Sequence, residues 1–589
     1  MTALGVVDLS DNRLTHLIDV AAGRAPADLL FKNAAIVNVI SHEIERGSLA
    51  ISGDRIVGIG DYDAKKVVDL GGQFVCPGLI DAHVHIESSL LFVPQFAGVV
   101  SAHGTTAVVA DPHEFANVMG IKGIETVLAW AGRVPIEVFV TLSSCVPASP
   151  LETAGASLSA DNLRPLVNHP RVLGLAEMMN YPGVIAGQAD VLRKISMIDT
   201  GIIDGHAPSV KGRELTAYAA SGIMSDHECI TAEEARAKLR SGLHVMIREG
   251  SQTRNLEALL PAVTPQTADR FMFCTDDKDV RHLLEEGQID HMIRKAIGLG
   301  LDPISAVRLG TYNAARYFNL RQMGAVLPGY FADLAIVDDL KSFRVSQTYH
   351  RGRLVAEDGR SIVDEAEPHA EKVGRDTIRV HAMASQDYSI PCSKGASETN
   401  PPQIHVIQVL ENRIDTERNF ETGKVEKGQI VADASRDLAK MVVIERHRAS
   451  GEMGRAFVRG FGLRAGAIAS SVAHDAHNII VVGMSDADMF LAVTRLVELG
   501  GGLVATNDGG VLAEVPLPIA GLVSDEPAEV VSGKLHRIGE AVRELGCRLE
   551  QPFMALSFLS LSVIGKLKLT NQGLIDVEQF KVIPLIAVG

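Results

Sequence analysis

The chain has 589 residues, of which 46% are hydrophobic and 22% are charged, and its formal net charge is -16. Because this length exceeds what one hydrophobic core usually supports, we expect two or three domains. The acidic charge argues against a nucleic-acid partner, since phosphate binding requires a basic surface, whereas a small-molecule substrate is compatible with it.

The first 80 residues contain short β-strand patterns bounded by glycine and aspartate, such as LLFKNAAIVNV and QFVCPG. Their spacing is typical of a sandwich or an open barrel. A similar texture returns in residues 324–374, for example in GAVLPGYFADLAIVDDL. We therefore expect residues 1–80 and 324–374 to form one split β domain around the intervening chain.

Residues 81–323 alternate strand and helix patterns with the size and rhythm of a (β/α)8 barrel. One predicted helix, in TAEEARAKLRSG, begins with a capping box made by Thr231 and Glu234. Eight candidate strands, most of them separated by helical patterns, are Cys76–His85, Thr105–Ala110, Ile136–Ser143, Val172–Glu177, Gly201–Asp204, Ile223–Ser225, His244–Arg248 and Phe271–Thr275.

The texture changes again at residue 375. Residues 375–400 are polar and without pattern, which indicates a linker. Beyond them, strand patterns such as NIIVVGMS mix with helical ones such as DADMFLAVTRLVELG. We expect residues 375–589 to form a C-terminal α+β domain. The predicted fold class is thus α/β, a TIM-type barrel with a small split β domain and this third domain.

Side chains able to bind metal recur where the barrel strands should end. His83 and His85 are two residues apart on strand one, so both imidazoles would point the same way. The carboxyl ends of barrel strands meet at one mouth, where active sites lie. Each such residue alone also fits a purely structural role, as a capped loop residue or a strand-end carboxylate. For all six to be structural, chance would have to place each of them at a strand end. The six candidate ligands, enough for two divalent metal ions, are His83, His85, Glu177, His206, His227 and Asp276.

The order of these motifs resembles the amidohydrolase superfamily: PGLIDAHVH, a carboxylate on strand four, two single histidines, and an aspartate on strand eight. Many hydrolases of that superfamily carry a carboxylated lysine on strand four, where this chain has Glu177. The segments HVHIESSL, ADPHEFANV, SDHECIT, MIREGS and SVAHDAHNIIVVG are similar to bacterial adenine deaminases. This closer resemblance spans nearly the whole chain.

The resemblance implies hydrolysis of adenine to hypoxanthine and ammonia, a step of purine metabolism, at a binuclear centre. Manganese or iron would be the metal, and zinc also fits the ligands. Hydroxide would attack C6, and Asp276 would take its proton and pass it to the leaving amine. Because negative charge develops at the ring nitrogen beside C6, we expect an acid there, and Glu114 is the candidate.

Two residues beside Glu114 are candidate substrate contacts. Asp111 and His113 would orient this acid or bind the base, although an aspartate before Pro112 is also a common turn signal.

Two more candidate contacts lie elsewhere in the chain. Arg248 ends strand seven next to Glu249, and both would face the mouth, either to contact substrate or to form ion pairs. His477 belongs to AHDAHN, which is either a loop that completes the substrate pocket or a turn with a local side-chain hydrogen bond.

Two other functions stay open on the sequence alone. Another amidohydrolase could act on a different purine or on a cyclic amide, although a lysine at position 177 would have favoured the cyclic-amide class. A non-catalytic barrel would be indicated by loss of the metal ligands, and all six are present.

The sequence also bears on location and partners. MTALGVVDLSDNRL lacks a basic segment followed by an apolar one, so we expect no signal peptide. No run of about 18 uncharged apolar residues occurs, so we expect no membrane partner. The six cysteines lack framework spacing, as in reduced cytoplasmic proteins. Surfaces of the β and third domains favour a homodimer.

Overall fold

A computed structural model describes residues 12–363, 373–392, 396–411 and 413–587. Parts of the predicted segments lie outside these ranges: residues 1–11 of the N-terminal β part, 364–372 of the second β part, 393–395 of the linker, and 412 and 588–589 of the C-terminal domain. In the described part of the chain, none of the helices combines the length and the hydropathy of a transmembrane span.

Eight parallel strands form the central barrel, as five-stranded and three-stranded sheets that meet at two seams. At one seam Val84 pairs with Asp276, and at the other the Met224 N–H donates to the carbonyl of Ile203 at 2.9 Å. The predicted (β/α)8 fold class is therefore confirmed. The barrel strands, numbered one to eight in chain order, are Leu79–Val84, Thr105–Ala110, Glu137–Leu142, Val172–Met178, Ile202–Gly205, Ser225–Asp226, His244–Arg248 and Phe271–Cys274.

The predicted first strand is in fact two strands. Phe74–Pro77 belongs to the β sheet outside the barrel, and barrel strand one begins after Gly78. A Cβ at Gly78 would collide with the side chain of Thr106 in the neighbouring strand. Glycine is therefore required where the chain crosses closely from the outer sheet into the barrel.

Helices lie between the barrel strands and around them. Thr231 accepts a hydrogen bond from the Glu234 N–H at 3.2 Å, as predicted, but the Glu234 carboxylate binds the N–H groups of Ile230 and Ser209 instead of closing the box. The helices up to residue 317 are Asn12–Ala21, Val93–Ala102, His113–Met119, Ile121–Ala131, Ala160–Leu163, Tyr181–Ile185, Ala189–Ser196, Gly212–Ala220, Ala232–Arg240, Leu256–Leu259, Val280–Glu285, Ile289–Gly298, Pro303–Leu309 and Tyr312–Tyr317.

One nine-stranded sheet joins segments from before and after the barrel. Leu334–Val337 pairs antiparallel with Phe74–Pro77, which in turn pairs with Ala27–Asn38. The remaining strands of this sheet are Glu43–Ser52, Arg55–Ile59, Ala64–Asp69, Val345–His350, Arg353–Glu357 and Arg360–Ser361.

The C-terminal part is built on an eight-stranded sheet covered by the helices Asp486–Glu498, Ala528–Glu544 and Pro552–Ser557. Its apolar residues join those of the barrel in one core, so the two parts pack directly. In sheet order the strands are Thr416–Thr422, Gln403–Val409, Met453–Arg459, Leu438–Ile444, Ile479–Gly483, Ala467–Ser470, Gly502–Asn507 and Gly510–Pro516. Smaller sheets contain Lys424–Glu426, Gln429–Val431, Leu567–Thr570, Gly573–Asp576 and Lys581–Ile583.

Candidate active site

The predicted first-strand and eighth-strand ligands meet at the carboxyl ends of the barrel strands. The Nε2 atoms of His83 and His85 lie 3.2 Å apart. One carboxylate oxygen of Asp276 lies 3.2 Å from the first of these nitrogens and 3.1 Å from the second. All three side chains are buried, so three donor atoms converge away from bulk water.

Glu177 lies between the histidines, with its two oxygens facing different groups. Its Oε2 is 2.7 Å from Nδ1 of His206 and 3.1 Å from Nε2 of His227. Its Oε1 is 3.4 Å from Nε2 of His85. Its two oxygens therefore face different donor groups of one buried cluster, and carboxylate and imidazole together suit divalent metals.

The electrostatics of this cluster favour positive charge at its centre. Burial lowers the pKa of His83, but hydrogen bonds with Asp204 and Asp276 outweigh it and raise the pKa to about 10. Burial likewise opposes charge on His206, and the carboxylates of Glu228 and Glu177 raise its pKa to about 9. Because metal ligands must be deprotonated, a divalent cation would take the place of these protons. The converging imidazole and carboxylate donors therefore fit divalent metal ions.

A cavity lies over the cluster. Its barrel side is polar and includes Glu114, Arg248 and Asp276. Its opposite side comes from the C-terminal part of the chain, which contributes His474, Asp475 and an apolar wall that we call the roof: Ile414, Phe558, Leu561 and Ile564. Polar and apolar walls thus face each other across the cavity, as in many small-molecule sites.

Glu114 is held by two histidines of the C-terminal part. His474 Nδ1 lies 2.7 Å from its Oε1, and Nε2 of His477 contacts its Oε2. Burial lowers the pKa of His474, but Glu114 outweighs it and raises the pKa to about 9. Burial would raise the pKa of Glu114, but its histidine neighbours hold it well below its usual range. A proton therefore resides on the His474–Glu114 pair at neutral pH.

Of the residues predicted to contact substrate, His113 and Arg248 line the cavity, whereas Asp111 and His477 lie behind it. Asp111 accepts a hydrogen bond from Ser143 at 2.8 Å, and its other oxygen lies 3.2 Å from Nδ1 of His113. Asp111 therefore orients His113. His477 is fully buried behind Glu114, so it acts on this carboxylate and not on the cavity.

Arg248 enters a group of carboxylates. Its guanidinium contacts Asp276 and lies 2.6 Å from Glu228 and 2.7 Å from Asp277. The prediction that Glu249 faces the same mouth is wrong. Its carboxylate contacts Lys295 and accepts the N–H of Leu256 at 3.1 Å, because consecutive residues of a strand point to opposite faces.

Two carboxylates near the cluster, Asp204 and Asp226, were not among the predicted site residues. Asp204 lies 3.4 Å from Nδ1 of His83 and two residues before His206 in IIDGH. Asp226 directly precedes His227 and accepts the Ala207 N–H at 2.8 Å. An aspartate just before each single histidine was a signal for such supporting groups, which orient metal ligands.

Lys238 and Asp226 form a fully buried ion pair beneath strand six, with 2.7 Å between Nζ and Oδ2. Burial would raise the pKa of Asp226, but Lys238 outweighs it and lowers it. The resulting stability is present above the unfolded pKa, about 3.9, and is lost as pH falls through the lower folded value.

Replacing Lys238 with methionine should therefore lower the free energy of unfolding at neutral pH by about 3–5 kcal/mol, because it leaves a buried carboxylate unpaired. Urea unfolding of the K238M variant would measure this. An unchanged midpoint and slope would contradict it.

The chain is similar to known proteins over nearly its whole length. Residues 74–355 match the family model described as "Amidohydrolase family", and residues 413–581 match "Adenine deaminase C-terminal domain". The chain is similar to the adenine deaminase of Desulfatibacillum aliphaticivorans, with 46% identity over 575 residues, covering 97% of this chain and 99% of the relative. It is 45% identical over 572 residues to that of Dehalococcoides mccartyi, with the same coverage of both chains.

Among solved structures, the chain is similar to the beta-aspartyl dipeptidase of Fervidobacterium islandicum AW-1. The match has a TM-score of 0.44 and 16% identity, and it covers 57% of this chain and 98% of that one.

Proposed function

The chain belongs to the adenine deaminase family of the amidohydrolase superfamily, and from this premise we propose that it is a hydrolase that converts adenine and water to hypoxanthine and ammonia. Identity of 44–46% over nearly the whole chain supports this substrate. The single observation that carries the mechanism is the position of Glu177, whose two oxygens face separate histidines.

We propose two divalent cations as cofactors, with manganese or iron as the metals and zinc as a third that the ligands fit. When bound, such cations supply Lewis acidity that brings the pKa of water into the neutral range. The six residues that would hold them are His83, His85, Glu177, His206, His227 and Asp276.

Asp276 is the proposed proton acceptor. Burial would raise its pKa, but Arg248 and hydrogen bonds with His83 and His85 hold the pKa well below its usual range. Asp276 is therefore ionised at neutral pH and lines the cavity. It takes a proton from the water whose oxygen adds to C6, and it returns this proton to the amine as the C6–N bond breaks and ammonia leaves.

Glu114 and His474 are the proposed donors to the ring nitrogen beside C6. This nitrogen gains negative charge as water adds, so a proton supplied there lowers the barrier. The remaining proton of the added water leaves the C6 hydroxyl group as C6–O becomes the carbonyl, and it restores the proton of the pair. The pair already shares a proton, and both residues line the cavity. On the barrel side, His113 lies against Glu114 and is oriented by Asp111. On the opposite side, His477 contacts Glu114.

Adenine would lie between the polar barrel mouth and the roof. Its flat ring suits the apolar surfaces of Phe558 and Leu561, while its polar edge faces Glu114 and Asp276. Arg248, neutralised by three carboxylates, serves to position Asp276 in this arrangement. We further propose that the enzyme is cytoplasmic and a homodimer.

The test is ammonia release from adenine by purified protein that is stripped of metal and then reloaded with Mn(II), Fe(II) or Zn(II). We expect turnover to vanish on stripping and to return on reloading, because the acidic cluster needs its cations to bind and activate water. The ultraviolet change from adenine to hypoxanthine would be followed in parallel.

Two results would argue against the proposal in different ways. Full turnover by metal-free protein would show that the reaction does not need the proposed metal cofactors. No turnover from folded protein carrying two ions per chain would remove adenine as the substrate, and other purines and cyclic amides would be the next compounds to test.

A further inference from the structure

Lys568 is a buried lysine in the strand Leu567–Thr570, next to the candidate active site. Its ammonium donates hydrogen bonds to two backbone carbonyls, those of Ile414 and Phe558, each at 2.8 Å. These two acceptors are 144 residues apart in the chain, so one side chain ties two distant segments together.

The surroundings of this ammonium are unusual for a lysine. Among the ion pairs of the described residues, none includes Lys568, and burial lowers its pKa to about 7. Its neighbour Lys566, two positions earlier, is half exposed and pairs with Glu417 at 2.6 Å. Burying an amine is costly, and this cost is offset by the two hydrogen bonds to carbonyls together with the electrostatic attraction of Asp415.

Both carbonyls belong to residues of the roof. Ile414 and Phe558 line the cavity over the metal-binding cluster. The ring of Phe558 also stacks on His474, with centroids 4.4 Å apart and an angle of 16° between the planes. His474 in turn lies 2.7 Å from the carboxylate of Glu114. The hydrogen bonds of Lys568 thus end on the wall that faces the barrel mouth.

We propose that Lys568 is a positioning residue that holds the two segments of the roof together over the bound purine. This inference rests on the proposed adenine deamination, because the roof is assigned as the surface against the purine ring. Lys568 does not itself reach the cavity, so it acts through Ile414 and Phe558.

The kinetic test compares Lys568→Met with Lys566→Met, a matched change just before the same strand. K568M removes the side-chain hydrogen bond to each carbonyl and loosens the roof, so we expect KM for adenine to rise roughly 10- to 100-fold with kcat little changed. K566M should keep the native KM. A KM in K568M equal to that in K566M, or an equal fall in kcat and metal content, would overturn the proposal.

A second measurement does not depend on the substrate. Hydrogen–deuterium exchange in residues 413–416 and 556–562 should be faster in K568M than in K566M by about tenfold or more, because the hydrogen bonds from Lys568 to both segments are lost. Unchanged exchange would overturn the proposed positioning role of Lys568, even in an active enzyme. Faster exchange in a protein without adenine turnover would argue against the proposed function, but it would still support the role of Lys568 in holding the two segments together.

Should K568M fail to fold, Lys568→Arg and Lys568→Gln carry the same test. Arginine keeps the charge and several donors, whereas glutamine keeps one short donor group. We expect KM to increase in the order native, K568R, K568Q, with unchanged metal content. Equal KM values in both variants and the native enzyme would overturn the proposal.

Discussion

Replacing Glu177 with glutamine is expected to reduce the metal content below two ions per chain and to lower the rate of adenine deamination by more than about 100-fold. Loss of a supporting group around a metal site already costs roughly 10- to 100-fold, and Glu177 is proposed as a direct ligand. The change removes the negative charge that lies 2.7 Å from His206 and 3.1 Å from His227. Glutamine has a single carboxamide oxygen, which cannot face His206 and His227 on one side and His85 on the other.

Glu249→Gln is the matched control for this variant. Glu249 is also a fully buried glutamate at the end of a barrel strand, but it pairs with Lys295 on the outer side. We expect E249Q to unfold more easily and to keep its metal content. Metal analysis and ammonia release would be measured on both purified proteins. Two ions per chain and native turnover in E177Q would contradict the proposed role of Glu177 as a metal ligand.

Replacing Glu114 with glutamine is expected to lower kcat by about 10²- to 10⁴-fold, the usual loss when a proton-transfer group is removed. The metal content should stay at the native value, because Glu114 is outside the six proposed ligands. The amide cannot share the proton that His474 now holds against the carboxylate. Steady-state kinetics with adenine and metal analysis on the same samples would measure both quantities.

Glu87→Gln provides the control for this second variant. Glu87 is a buried glutamate that accepts the Phe115 N–H at 3.1 Å and interacts with Glu114, but it does not line the cavity. We expect E87Q to keep kcat within a few-fold of the native enzyme. Equal losses in both variants would mean that Glu114 acts by packing alone, and a native kcat in E114Q would remove it from proton transfer.

Much of the barrel and of the metal cluster could be predicted from the sequence, because the relevant signals are local. Short apolar runs separated by helical patterns predicted a segment that overlaps each of the eight barrel strands, although the first prediction also included residues of the outer sheet. His83 and His85 share a face through the two-residue period of a strand. The convergence of six strand-end residues follows from the parallel barrel itself, which brings every carboxyl end to one mouth.

Other features were decided only by the tertiary structure. Glu249 follows Arg248 directly, and only the packed barrel showed which of the two faces the mouth. His474 and Asp475 reach the cavity, whereas His477, the residue chosen from the same motif, lies behind Glu114. The roof and Lys568 come from segments more than a hundred residues from the metal ligands. Such contacts depend on how the C-terminal sheet packs on the barrel, and no periodicity within either segment encodes that packing.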